Sequence, residues 1–478
     1  MFTIILCKIL YWIGSKLGRG SSLPGSICLK LNPRILKKLK MPDTVIAVTG
    51  SNGKTSTTAM LLKLARASGK KVICNAEGSN QIEGVTTVLL TNTNPFTKKV
   101  KADVVILESD ERFCQYSFRD MIPTHIVITN LFRDQLTRNG NWEFVRGELA
   151  KGLPARSMLI LNADDPVSGS LAQGHSKVMY YGVTADYFHE PKNLVHAYDD
   201  GAYCPICHGK MDYKYRLTGQ VGNFCCRSCG FRSGDAVHNV TRVENGSLVI
   251  DGEYSIRPQV MNTSFAQNIS AAFTVGTEVL GMAPEDVASV LNGLVLENGR
   301  VVEFTLGGRK GHFMLTKHEN SMAYNAAIAT ALSAGGDVTV AVIVDRLSRK
   351  YVANDMSWLW DIDFERLADS RVKKIVLSGG FAHDLASRCL LAGIDGSKLT
   401  VEPDLDSMME ILRKDKDGEL YVFTCFTDQY KFLNRLKRIN KEEAEAALQE
   451  EKRINLQETV EFAAVKAPEK EESKEEAK

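Results

Sequence analysis

The sequence predicts an α/β protein: a parallel sheet with helices on both faces, an inserted cysteine ribbon, and a smaller α/β unit after it. Three observations carry that reading. Short apolar runs alternate with helix-like stretches over residues 41–300, and again over 301–440. Strands separated by helices pair in parallel, because a parallel crossover needs a dozen or more residues. Between 200 and 235 the alternation stops, and cysteines, glycines and aromatics take over, which marks an insertion.

Residues 1–40 read as a leader helix and a basic connector ending Arg34-Ile-Leu-Lys-Lys-Leu-Lys40. The longest uncharged run of the apolar stretch Met1–Gly14 is too short to cross a bilayer, and no basic region precedes it as in a signal peptide. A helix packed on the first domain is expected, with peripheral membrane contact as the alternative. In the central domain, 41–300, strands are predicted at Thr44–Val48, Lys71–Cys74, Val104–Leu107, His125–Thr129, Ser157–Leu161 and Lys177–Tyr181. Helices are predicted after Lys54, at Asn141–Leu149 and at Ser264–Leu280. The third segment, 301–440, carries strands at Val338–Val344, Lys373–Leu377 and Leu420–Thr424, with helices at Phe364–Asp369, His383–Ala392 and Leu405–Lys414. Glu, Lys and Ala dominate 441–478, which predicts a charged tail, disordered at its end.

At 478 residues the chain needs about two to four domains. A net charge of +2 gives no reason to expect nucleic acid. Six of the eleven cysteines are scattered singly: Cys7, Cys28, Cys74, Cys114, Cys389 and Cys425. Such cysteines point to the reducing cytoplasm, without a disulfide framework.

Residues 48–58 read Val-Thr-Gly-Ser-Asn-Gly-Lys-Thr-Ser-Thr-Thr, between a strand and a helix. Gly50 and Gly53 allow the backbone to approach a phosphate, with Asn52 and Ser56 in the same turn. Lys54 supplies a point charge for the β/γ-phosphates and Thr55 a hydroxyl for Mg²⁺. The standard phosphate loop has Gly where this chain has Val48, so the match is to the shorter Thr-Gly-x-Asn-Gly-Lys-Thr form. Val104-Val-Ile-Leu-Glu108-Ser-Asp110-Glu111 ends a strand in carboxylates. Ligands bind beyond strand carboxyl ends in such sheets, so Glu108 is placed to hold Mg²⁺. The alternative, a solvated acidic loop, fits Asp110 and Glu111 better than Glu108. Thr129-Asn-Leu-Phe-Arg-Asp-Gln-Leu136 and Asn162-Ala-Asp-Asp-Pro166 also follow strands, and the three loops together favour an ATP crevice.

The insertion holds Cys204-Pro-Ile-Cys207, eighteen residues, then Cys226-Arg-Ser-Cys229. Two Cys-x-x-Cys knuckles fit a structural zinc site whose closed shell leaves no position for catalysis. Cys225 makes the register ambiguous; the two-residue spacing favours Cys226. No Ser/His or Cys/His nucleophile signature is recognisable, although such partners need not be close in sequence, and the sequence offers no obvious site to release ammonia from glutamine.

These residues resemble the Mur ligase family: the Thr49–Thr55 loop, the Glu108 strand end, Asn162–Pro166, and Asn268 at a helix entry. Four features resemble, more narrowly, the branch that forms the synthetase subunits of lipid II isoglutaminyl synthases. They are Leu23-Pro-Gly25, Thr129–Leu136, the four-cysteine ribbon, and Asp355-Met-Ser-Trp-Leu-Trp-Asp361 in a shortened C-terminal domain. The resemblance implies a Mur-ligase-type ATPase domain and a Rossmann-like C-terminal domain. It implies ATP-dependent amidation of the α-carboxylate of D-glutamate in the lipid II stem peptide, through an acyl phosphate. Lys54 and Glu108 would serve the chemistry, and Asn268 the nucleotide. The implied partner is a GatD-type glutaminase subunit, and Asp355 would complete that partner's triad; the alternative for Asp355 is a helix N-cap or turn residue. Lipid II as substrate implies work at the inner face of the membrane. The chain departs from the family pattern at Lys317-His-Glu-Asn-Ser321, over Val344–Asp355, and at Gly299-Arg300-Val-Val-Glu303. Two other readings remain open here: a Mur-type ligase that adds an amino acid, and a non-catalytic nucleotide-dependent binding module.

Overall fold

The computed structural model describes residues 1–445 except 18–20, 76–78, 136–138, 193, 195, 297–300, 318, 346–354, 426–427 and 444. Strands β1 (Thr44–Thr49), β2 (Val72–Cys74), β3 (Val104–Glu108), β4 (His125–Ile128), β5 (Met158–Asn162) and β6 (Val178–Val183) form the first sheet with β9 (His238–Glu244), β10 (Ser247–Ile250) and β11 (Tyr254–Ile256). The order is β11-β10-β9-β6-β5-β4-β1-β3-β2. Pairing is parallel from β2 to β9, then antiparallel through β10 and β11.

Both faces of this sheet are covered. In β1, Ile46 and Val48 point into one core, against the helices Lys54–Ala67 and Thr263–Glu278. Val45 and Ala47 point into the other, against Ile82–Thr91 and Trp142–Gly152. The period of two sends alternate side chains to opposite faces, so an unbroken apolar run marks a strand buried on both sides. The second core also takes in Ile4, Cys7 and Cys28 from the leader helices Phe2–Lys16 and Leu23–Leu31.

The inserted segment folds as a two-stranded hairpin, β7 (Met211–Thr218) with β8 (Val221–Cys226). A six-stranded sheet follows, of order β12-β13-β17-β14-β15-β16. Its strands are β12 (Val301–Leu306), β13 (Arg309–Thr316), β14 (Val338–Ile343), β15 (Val372–Ser378), β16 (Leu399–Val401) and β17 (Glu419–Cys425). β12 and β13 form a hairpin closed by Gly307 and Gly308, both at positive φ, as the tight two-residue hairpin turn requires.

The antiparallel strands β9–β11, the β12–β13 hairpin and the helices Ile82–Thr91 and Ser321–Leu332 have no counterpart in the sequence reading. The predicted helix Phe364–Asp369 is only a short 3₁₀ turn, Phe364–Ala368. Gly299-Arg300, His318, Leu136, most of Val344–Asp355 and nearly all of the 441–478 tail lie outside the described residues.

Candidate functional site

At the end of β1 the chain turns through Gly50 and Gly53, at φ 128° and 86°, into the helix Lys54–Ala67. Both positions exclude a side chain. A Cβ at Gly50 would lie 2.3 Å from Thr129 Oγ1, and one at Gly53 would lie 2.3 Å from Asn268 Oδ1. The loop is braced before any ligand arrives. The Thr129 hydroxyl donates to Asn52 O at 2.6 Å, and Asn52 N donates to Asn130 Oδ1 at 2.9 Å. Ser51 N donates to Asn130 O at 2.8 Å. Phe132 N donates to Ser51 Oγ at 2.9 Å. The 129–132 segment therefore holds the phosphate loop in shape.

Lys54 is buried, and its ammonium donates to Gly50 O and to Glu111 Oε2, the latter at 3.0 Å. Burial alone would lower its pKa, but Glu111, Asp110, Asp134 and Glu108 raise it well above the usual lysine range, so it is fully charged. Ser51, Gly53, Lys54, Thr55, Asn80, Glu108, Asp110, Glu111, Asp134 and Lys317 are among the residues around a cavity of about 230 Å³. Glu108 is 5% exposed and takes a hydrogen bond from Asn80 Nδ2 at 3.2 Å. Asp110 and Glu111 are 6% and 1% exposed. The alternative of a solvated loop therefore fails for those two: the loop turns inward, and Glu111 is the carboxylate that pairs with Lys54.

A second, more apolar cavity of about 110 Å³ adjoins the first at Gly53, between the two sheets. Asn52, Ser56 and Asn268 line it beside Phe265, Leu296, Met314 and Met322. Asn268 lies in the helix Thr263–Glu278, started by the Asn262 side chain accepting from Phe265 N at 2.8 Å. A polar cavity at a phosphate loop, next to a more apolar one, suits a triphosphate joined to a base.

The second unit closes this site. Lys317 Nζ donates to Ser51 O at 3.3 Å and to Asp134. Asn320 Nδ2 donates to Asp134 Oδ1 at 2.8 Å and to Asn52 Oδ1 at 3.1 Å. Its own Oδ1 caps the helix Ser321–Leu332 at Ala323 N, 2.8 Å away. Asn80, Asp134, Lys317 and Asn320 have no individual role in the sequence reading: Asp134 falls within the Thr129–Leu136 loop, Lys317 and Asn320 within the Lys317–Ser321 departure, and Asn80 is not marked. Asp134 and Lys317 are 183 residues apart, and no spacing rule links them.

Asn162-Ala-Asp-Asp-Pro166 serves the frame instead of lining either cavity. Asp165 accepts from Leu131 N at 2.9 Å, from Ser168 N at 3.2 Å and from Gln220 Nε2 at 3.0 Å. It ties the 129–132 loop to the inserted hairpin. Burial lifts the neighbouring Asp164 to about 7.

The cysteine ribbon brings Cys204, Cys207, Cys226 and Cys229 together, with all four sulfurs within 4.8 Å of one another. Cys204 Sγ lies 3.8 Å from Cys229 Sγ, and Cys207 Sγ 3.5 Å from Cys226 Sγ. A tetrahedral site with bonds of about 2.3 Å has S···S edges of about 3.8 Å, so the donor set fits a Cys₄ metal. Burial would raise the Cys226 thiol, but N–H groups of Cys229 and Ser228 bring it down to about 6. Cys225 is exposed and outside the cluster. Successive residues of β8 face opposite ways, and the one that joins the cluster is Cys226, as the two-residue spacing predicts.

Asp355 is exposed, two residues ahead of the short turn Ser357–Asp361, and accepts from Ser357 N at 2.9 Å. Hydrogen bonds from the Ser357 side chain and backbone N–H hold its carboxyl below the usual range. It lines neither cavity. Trp358 is buried in the core of the six-stranded sheet and Trp360 is half exposed. Asp361 pairs with Arg133 at 3.4 Å, and Arg133 also forks onto Asp200 at 2.8 Å. His196 sits between Asp363, 2.8 Å from Nδ1, and Glu190, 2.9 Å from Nε2.

Comparison with known proteins agrees with this layout. The Mur ligase middle domain model matches residues 48–225, and the MurT ligase C-terminal model matches 317–428. The subunit MurT of lipid II isoglutaminyl synthase (glutamine-hydrolyzing) from Staphylococcus aureus (strain COL) is 28% identical over 393 residues, 81% of this chain and 86% of that one. The corresponding Streptococcus pneumoniae (strain ATCC BAA-255 / R6) protein is 28% identical over 437 residues, 88% of this chain and 93% of that one. Among solved structures, a pseudomurein peptide ligase type C from Methanothermus fervidus superposes with a TM-score of 0.61 at 19% identity, over 87% of this chain and 84% of that one. MurF ligase from Thermotoga maritima in complex with ADP gives 0.56 at 15% identity, over 87% and 83%. These two likenesses establish a shared fold. No described helix is long and apolar enough to cross a membrane.

Proposed function

The chain belongs to the Mur ligase family, in its MurT branch, and on that premise we propose that it is the synthetase subunit of a glutamine-hydrolysing lipid II isoglutaminyl synthase. The observation that carries this reading is the phosphate-loop cavity closed by Lys317 and Asn320. Both residues belong to the unit matched by the C-terminal model.

The reaction is amidation of the D-glutamate α-carboxylate to D-isoglutamine. A carboxylate is a poor electrophile and must first be activated. One of its oxygens attacks the γ-phosphorus of ATP; an O–P bond forms, the bond to the β-phosphate oxygen breaks, and ADP leaves. Ammonia then attacks the carbonyl carbon of the acyl phosphate. The C–O bond to phosphate breaks, and the nitrogen loses a proton. Gly50, Asn52, Gly53 and Ser56 cradle the phosphates, and Asn268 bounds the nucleotide where the two cavities meet. Lys54 leaves Glu111 for the γ-phosphate and offsets the charge that spreads over its oxygens. Thr55 and Glu108 would hold Mg²⁺, which when bound neutralises phosphate charge. The buried carboxylates around the cavity suit a hard cation.

Zn²⁺ in Cys204, Cys207, Cys226 and Cys229 would be structural. The ribbon's apolar cluster is small, mainly Met211 and Phe224 with the two buried cysteines. Metal binding would supply most of its folding energy. Asp355, exposed and ionised, is assigned to a GatD-type glutaminase partner, where it would orient that subunit's histidine. Lipid II as acceptor puts the complex in the cytoplasm, at the inner face of the membrane.

The test is ADP release with a muropeptide acceptor, comparing ammonium, glutamine and free amino acids, with and without a glutaminase subunit. Ammonium should suffice for the chain alone, and glutamine should work only in the complex. Product formation with an amino acid and not with ammonium would overturn the assignment.

A further inference from the structure

The helix Phe2–Lys16 is apolar on two opposite sides. One side buries Ile4, Cys7 and Gly14 against the helices Leu23–Leu31 and Ile82–Thr91, with Lys8 Nζ donating to Thr91 O at 2.8 Å. At about 100° per residue, Phe2, Ile5, Ile9, Trp12 and Ile13 fall on the opposite side. They are 70, 38, 50, 61 and 45% exposed. A surface helix ordinarily turns charged and polar residues that way. The exposure is also concentrated. Of the 22 large hydrophobic residues exposed among the described positions, ten lie within the first 31 residues. Scattered single ones are ordinary; a contiguous patch marks a contact surface.

Charge says what the contact is. Residues 1–42 contain eight Lys and Arg and no Asp or Glu. The whole chain carries +2, so the remaining residues carry −6. Lys16, Lys30, Arg34, Lys37, Lys38 and Lys40 are exposed, and Lys16 Nζ lies 4.2 Å from the Trp12 ring centre. Apolar residues with an interfacial tryptophan, flanked by lysines whose stems cover apolar surface while their heads stay in water, match the boundary between acyl chains and anionic headgroups. Fifteen residues make a helix of about 22 Å, short of the roughly 30 Å hydrocarbon core, so it lies in the surface plane.

We infer that the Phe2–Lys16 helix is a docking element for an anionic lipid surface, with the basic segment through Lys40 as its electrostatic partner. The inference stands apart from the proposed reaction, because its test needs neither ATP nor acceptor.

The full chain is mixed with vesicles of phosphatidylglycerol and phosphatidylethanolamine, or of phosphatidylcholine alone, and floated on a density gradient. It should float with the anionic vesicles and remain below with the neutral ones, and added salt should release it. Ile9→Ser combined with Trp12→Ser should weaken anionic binding at least about tenfold. Lys37→Glu with Lys38→Glu should weaken it and flatten the salt dependence. Trp12→Phe should still bind, but lose the fluorescence quenching that brominated acyl chains cause in the parent. All these residues are exposed, so circular dichroism should match the parent. The inference falls if the full chain ignores anionic vesicles, or if the Ile9/Trp12 variant binds undiminished. It also falls if sedimentation shows a dimer that this variant dissolves, because a second copy then covers the face.

Discussion

His196 lies between two carboxylates, and its protonation is expected to set how firmly the segment ahead of the inserted ribbon is held to the second unit. Burial lowers its pKa, but hydrogen bonds and charge from Asp363 and Glu190 outweigh that and raise it from 6.5 to about 9. The charged ring donates from both nitrogens, at 2.8 and 2.9 Å. A neutral imidazole has one N–H, so on deprotonation one contact becomes acceptor against acceptor. Because the folded-state pKa is the higher one, the stabilisation is complete below pH 6.5 and is lost as pH rises through about 9. The difference of about 2.5 units, at 1.36 kcal/mol each, caps the effect at about 3 kcal/mol. The measurement is histidine-selective NMR of the full chain, with His196→Gln to assign the signal. Urea unfolding at pH 6.5 and 9.5 would accompany it. The parent should lose more stability between those pH values than the variant does. A measured pKa at or below 6.5, or an equal pH response in both proteins, would refute the clamp.

Three further outcomes follow from the site. Cys226→Ser should abolish near-stoichiometric zinc in purified protein while Cys225→Ser retains it, because only Cys226 joins the sulfur cluster. Lys54→Ala should lower ATP-dependent synthesis at saturating ATP by about a hundredfold or more, read as ADP release, and Glu108→Gln should weaken the Mg²⁺ dependence. Asp355→Asn should stop glutamine-dependent amidation in the complex while high ammonium restores it; failure of ammonium with the complex intact would move Asp355 to the synthetase site.

Features carried by contiguous sequence were legible before the structure. The phosphate loop was readable because its glycines, lysine and threonine sit within one turn. The ribbon was readable because metal knuckles have fixed spacing, which also favours Cys226 over Cys225. The parallel strands showed as apolar runs because both faces are buried, as Val45–Val48 illustrate. The hairpin β12–β13 was not visible, because Val302, Glu303 and Thr305 face solvent and break the apolar signal. The role of Glu111 was not legible because a carboxylate three residues past a strand looks solvated unless its partner, Lys54, is known to lie beside it. Asp134, Lys317 and Asn320 meet only through tertiary folding, so no local pattern announces them.

Arg133 and Asp134 are neighbours in the chain, yet they hold different things. Asp134 grips Lys317 and Asn320 over the phosphate loop, whereas Arg133 grips Asp361, the last residue of the run that Asp355 opens. One peptide bond therefore joins the wall of the nucleotide cavity to the segment assigned to the glutaminase. A ligand that drew Lys317 off Asp134 would act on the same short stretch of backbone that pairs with Asp361. The wall of the nucleotide cavity and the anchor of the Asp355–Asp361 run are thus adjacent residues of one loop.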